Sequence, residues 1–70
     1  MSDFFPATRD EIMAEVAREL AMRRNLFPKW VERGKIKQDE ADKRIRHLQA
    51  AYDYIMETMP KNYTAKPYSY

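Results

Sequence analysis

Apolar residues return at three- and four-residue steps along two separate stretches of this 70-residue chain. In the first, Ile12, Met13, Val16, Ala17, Leu20 and Phe27 make one stripe, interrupted by Arg23. That period matches one face of an α-helix, where side chains three and four apart are neighbours. The stretch opens on Thr8-Arg9-Asp10-Glu11, with Glu three positions after Thr. A hydroxyl and a carboxylate at that spacing can satisfy two of the backbone N–H groups that a helix start leaves free. Asp10 adds negative charge where the helix dipole favours it. The pattern predicts helix 1 over residues 8–25.

The second stretch is more regular. Ala41, Ile45, Leu48, Tyr52, Ile55 and Met59 alternate steps of four and three without a break. This is the period of a coiled-coil-like seam. Pro60 stops it, so helix 2 is expected over residues 38–59. Asp39, Glu40 and Asp42 lie in its first turns, but Lys37 occupies the cap position where Ser or Thr would serve better.

Between the two lies Asn25 to Glu40, which holds Phe27, Pro28, the only tryptophan and the only glycine. Pro28 suits the first turn of a helix and Gly34 a left-handed C-terminal cap, so residues 28–34 are expected as a short third helix forming a rigid elbow. Ile36 stands just before helix 2, placed to staple against its first turn. Residues 1–7 read as an extended lead, because Pro6 disfavours helix in the residue before it. Residues 60–70 contain Pro60, Pro67, Tyr63, Tyr68 and Tyr70 without periodicity and are expected to be irregular.

The fold class that follows is all-α, a two-helix hairpin with a short helical elbow in a single domain spanning residues 1–70. A two-helix hairpin leaves one side of each seam facing water. Pairing two hairpins into a four-helix arrangement would cover it, and a homodimer is the expected state. The alternative is a compact monomer whose elbow and aromatic ends complete the core.

Composition narrows the function. There is no cysteine, which excludes disulfides and thiolate metal sites and suits a reducing compartment. The amino-terminal residues lack a basic segment followed by a long apolar run, and no apolar stretch approaches the length of a bilayer span. A soluble, cytoplasmic protein is expected, with no membrane partner. Net charge is only +2 but unevenly spread. Residues 1–15 carry Arg9 against Asp3, Asp10, Glu11 and Glu15, whereas residues 16–46 carry ten bases against five acids. The connector and its flanks are therefore the electropositive part of the chain.

Catalysis has little to stand on. His47, the one histidine, lies beside the helix 2 seam without partners at metal-ligand or acid–base spacing. First-turn acidic bias accounts for Asp39, Glu40 and Asp42. There is no phosphate-binding glycine loop, zinc-protease motif or nucleophile motif. No enzyme activity, catalytic residue, metal or cofactor is expected. Arg33, Lys35, Lys37, Lys43, Arg44 and Arg46 could contact phosphates, but the interleaved acids dilute that patch. Only Gln38 and Gln49 would offer amides to base edges. Phe27 continues the helix 1 stripe and is expected in the core. Trp30 and Val31 cannot both face that side with equal burial, so Trp30 is expected to be partly exposed, and Trp and Arg are the residue types that dominate interaction hot spots. Trp30, Arg33, Lys35 and Arg44 are therefore the candidate partner-binding residues, with Trp30 as a lid over the small core the simpler alternative.

The run "ELAMRRNLFPKWVERGKIKQDEADKRIRHLQA" resembles a group of short phage and prophage proteins. Their shared pattern is an Arg, a Tyr or Phe followed by Pro, then Val, Gly-Lys, Ala and Ile. Here Arg23, Phe27, Pro28, Val31, Gly34, Lys35, Ala41 and Ile45 match it, and the likeness covers residues 19–55. Lys37 departs from the Ser or Thr often found before the second helix. The resemblance implies a small accessory gene of a temperate phage and carries over no functional residues. The expected function is binding and modulating a host protein, such as an enzyme, transcription regulator or defence complex. A small nucleic-acid-binding or transcription-regulatory protein is the alternative.

Overall fold

A computed structural model describes residues 7–65. In chain order it contains β1 (Ala7–Thr8), α1 (Arg9–Glu32), α2 (Gln38–Thr58) and β2 (Thr64–Ala65). The two helices hold 24 and 21 residues and pack as a hairpin, so the fold is all-α. The expected extended lead at residues 1–6 and the irregular tail at residues 66–70 lie outside the described residues. Neither helix is long and apolar enough to cross a membrane.

α1 starts as its sequence dictates. The Thr8 N–H donates to Glu11 Oε1 at 2.8 Å, and the Glu11 N–H donates to Thr8 Oγ1 at 3.2 Å. This reciprocal pair is the expected capping box.

The separate elbow does not exist. α1 runs unbroken from Arg9 through Pro28 to Glu32, so helix 1 does not stop at residue 25. Pro28 has no N–H for the Arg24 carbonyl and costs one helical hydrogen bond, but its fixed φ is compatible with the helix. Packing beyond it offsets that loss. Phe27 is buried, Trp30 and Val31 are half-buried, and the Phe27 and Trp30 rings lie 5.4 Å apart between centroids, tilted by 32°.

The end of α1 follows the glycine reading. Gly34 has φ 75°, the only positive value among the described residues. Its N–H donates to the Val31 carbonyl at 3.0 Å, and the Lys35 N–H to the Trp30 carbonyl at 2.8 Å. Those two bonds make a Schellman cap, which satisfies carbonyls that the helix end would leave free. α2 starts on Lys37, whose side chain makes no cap bond, as its chemistry requires.

The tail is more ordered than its composition suggests. Ala7 pairs with Ala65 and Thr8 with Thr64 in an antiparallel register, and the Arg9 N–H donates to the Tyr63 carbonyl at 3.1 Å. The expectation of an irregular segment from residue 60 is therefore corrected at Tyr63–Ala65. Ala7 and Thr8, just before α1, supply the edge that this short segment pairs with.

The core is thin. Leu20, Phe27 and Ala41 are the apolar residues buried among those described, at 4%, 3% and 2% exposure. Of the helix 2 seam, Ala41 is buried, while Ile45, Leu48, Tyr52, Ile55 and Met59 are only half-buried. Two helices cover one side of such a stripe and leave its flanks open. Three arginines of α1 fasten the hairpin instead. Arg9 reaches the Met56 and Met59 carbonyls, Arg23 the Arg44 carbonyl, and Arg24 the Gln49 side chain.

Candidate functional site

The end of α1 and the start of α2 converge around Phe27. Its ring is buried, with Arg44 of α2 over it at 5.1 Å and Arg23 of α1 at 6.0 Å. Both distances allow a cation–π attraction. Arg23 is held in place on both sides. Its Nε donates to Glu19 Oε1 at 3.2 Å, and its Nη1 to the Arg44 carbonyl at 3.2 Å. The interruption of the helix 1 stripe is thus a cross-helix clamp.

Trp30 lies one turn beyond Phe27 on the same helix and is half-buried. It lines an open depression of about 380 Å³ together with Lys35, Ile36, Glu40 and Arg44. The apolar part of this wall comes from the indole and Ile36. Lys35 and Arg44 are exposed cations, and Glu40 is an exposed carboxylate. The Schellman cap places Lys35 here, because it turns the chain back over the last turn of α1.

Three of the four candidate binding residues, Trp30, Lys35 and Arg44, therefore share one surface feature. Arg33 does not line it. Arg33 is the exposed C-cap residue of α1, with its N–H donating to the Lys29 carbonyl at 3.1 Å. The turn at Gly34 folds Lys35, and not Arg33, back toward Trp30 and the depression.

Two lining residues escaped the sequence reading of the site. The sequence pattern gives Ile36 only a stapling role and Glu40 only a dipole role. A usable signal was present for Glu40, since it stands four residues before Arg44 and so shares its helical face.

Charge around the depression is left unbalanced by internal pairing. The ion pairs among the described residues are Arg9–Asp10, Arg18–Glu15 and Arg23–Glu19, all within α1. Lys29, Arg33, Lys35, Lys37, Lys43, Arg44 and Arg46 belong to none of them. His47 is exposed on α2, and no cluster of three His, Cys, Asp or Glu suited to a metal occurs among the described residues. No family model, curated protein or solved structure matches this chain.

Proposed function

We propose that this chain is a small phage-encoded interaction protein of the bacterial cytoplasm that binds and modulates a host protein. It acts by occupying a surface rather than by catalysis. The observation that carries this reading is the division of labour between two adjacent aromatic rings. Phe27 is buried under Arg44, while Trp30 keeps part of its indole at the edge of a depression flanked by Lys35 and Arg44. A half-covered tryptophan among unpaired cations is the composition of an interface hot spot.

A second copy of the chain is the proposed occupant of the open seam. The hairpin buries little, has no cysteine for a disulfide, and leaves Ile45, Leu48, Tyr52, Ile55 and Met59 half-buried beside an exposed Met56. Scaffolds of this size need an additional source of stability, and assembly is the one consistent with this pattern. Dimerisation through the seam leaves the Trp30 depression at the turn end of the hairpin for the host partner.

Tagged wild-type protein and Trp30→Ala, compared in host lysate with mass spectrometry, test the reading. The wild type is expected to retain a defined host protein that the folded variant loses. Duplex DNA as the sole ligand, with a steep loss of affinity as salt rises, would instead favour a nucleic-acid-binding role through Lys43, Arg44 and Arg46.

A further inference from the structure

We infer that the Trp30 depression takes a short acidic protein segment that inserts one apolar side chain. This rests on the reading of the chain as an interaction protein and specifies the chemistry of its partner.

The walls argue for the apolar anchor. Trp30 and Ile36, both half-buried, line the depression from opposite ends of the α1–α2 turn. At about 380 Å³ it lies near the low end of ligand pockets, which run from roughly 300 to 1,000 Å³. That size has room for a single large side chain with its adjoining backbone.

The rim argues for acidity. Lys35 and Arg44 flank the depression, and neither is engaged in an ion pair among the described residues. Lys29, Arg33 and Lys37 lie within the same turn region of the sequence, likewise unpaired. A carboxylate arriving beside the anchor would meet cations already standing there, at no cost of breaking an internal pair. Complementary charge of this kind also steers the encounter.

The same rim disfavours a continuous polyanion. Glu40 lines the depression itself, and Glu32, Asp39 and Asp42 are interleaved with the neighbouring bases in the sequence. A nucleic acid backbone carries a charge at every nucleotide and so brings phosphate near Glu40 as well as near the bases. A peptide can place its acids beside Lys35 and Arg44 and an uncharged residue beside Glu40.

Trp30 is the only tryptophan, so its emission reports this site alone. The probe is a short synthetic peptide of Asp and Glu around a single Phe, titrated into the full chain. Saturable change in Trp30 emission is expected, weakened at least severalfold when the Phe is replaced by Ala or the acids by Lys. Lys35→Glu should weaken binding roughly threefold or more, a size typical of one exposed charge contact, and Glu40→Gln should not weaken it. Lys61→Glu, the same charge change at an exposed residue outside the depression, should bind like the wild type. Circular dichroism of each variant keeps loss of fold separate from loss of contact.

Equal binding of the acidic and basic peptides, or by Lys35→Glu and wild type, overturns the inference. So does a response to a short DNA duplex without one to the acidic peptide. If acidic peptides fail while Trp30-dependent capture of a host protein persists, the acidic specificity is wrong and the interaction reading stands. If both fail in folded protein, both fall.

Discussion

The Arg9 guanidinium reaches from the first turn of α1 to the last turn of α2, where its Nε donates to the Met59 carbonyl at 3.0 Å. Its Nη2 donates to the Met56 carbonyl, also at 3.0 Å. α2 has no basic residue in its own last turn, so Arg9 supplies from the other end of the chain the positive charge that a helix C-terminus favours. Its side chain is only 13% exposed, and the part-buried contact to Met59 is strengthened relative to a solvated one.

Replacing Arg9 therefore tests whether the open end of the hairpin is fastened by this one side chain. Arg9→Ala is expected to cost about 1.5–3 kcal/mol of stability, the range for hydrogen bonds to a charged group. Arg18→Ala, which removes a solvent-exposed pair with Glu15, should change it by less than about 1 kcal/mol. Denaturant titration followed by circular dichroism measures both.

The two adjacent rings should separate folding from binding. Phe27→Ala removes a buried ring and is expected to cost about 3 kcal/mol or more. Trp30→Ala should keep its helical circular dichroism and assembly state while losing the partner. If Trp30→Ala unfolds the chain as severely as Phe27→Ala, the indole belongs to the core and the proposed surface loses its anchor.

Gly34 is expected to be a backbone requirement and not a matter of space. A side chain there would meet nothing within 4 Å, yet φ is 75°, a conformation that β-branched residues adopt only under strain. Gly34→Val should cost on the order of 1 kcal/mol or more, and Lys35→Ala very little. Thermal unfolding of the pair distinguishes them, and an unchanged melting temperature for Gly34→Val would show that the cap is dispensable.

Pro28 offers the opposite sign. It sits exposed inside α1, where it withholds a donor from the Arg24 carbonyl. Pro28→Ala should raise stability by about 1 kcal/mol or more, toward the roughly 3 kcal/mol that separates the two residues in a helix interior. A drop in stability would mean that the backbone geometry fixed by Pro28 is what brings Trp30 onto Phe27.

Assembly is tested at the seam. Ile45→Asp puts a charge in the middle of the α2 stripe, where burying it without a partner is costly. Sedimentation of the wild type at micromolar concentration should give a dimer, and the variant a monomer or an unfolded chain. A wild type that remains monomeric and fully helical at high concentration rules out the four-helix arrangement.

The local features were legible in the sequence because their causes act within a turn or two of chain. Thr8 and Glu11 cap α1 by contacts three residues apart, and Gly34 takes a positive φ because it lacks a side chain. Lys37 fails as a cap because it carries no acceptor. The stripe through Leu20 and Phe27 and the seam through Ala41 needed only helical periodicity to be placed inside. Phe27 and Trp30 share one face of α1, three residues apart, and their different burial comes from where α2 covers that face.

What the tertiary structure decided were relationships between residues far apart in the chain. Pro28 read alone marks a helix start, yet α1 continues through it, with Trp30 and Val31 half-buried on the far side. Composition makes residues 63–65 irregular, but pairing with Ala7 and Thr8 gives their backbone groups partners. Arg9, Arg23 and Arg24 read as ordinary helix-surface cations until α2 brings carbonyls and an amide within reach. Ile36 and Glu40 entered the depression, and Arg33 left it, through the register between the two helices. That register belongs to the packing of α1 on α2, and no period along a single helix encodes it.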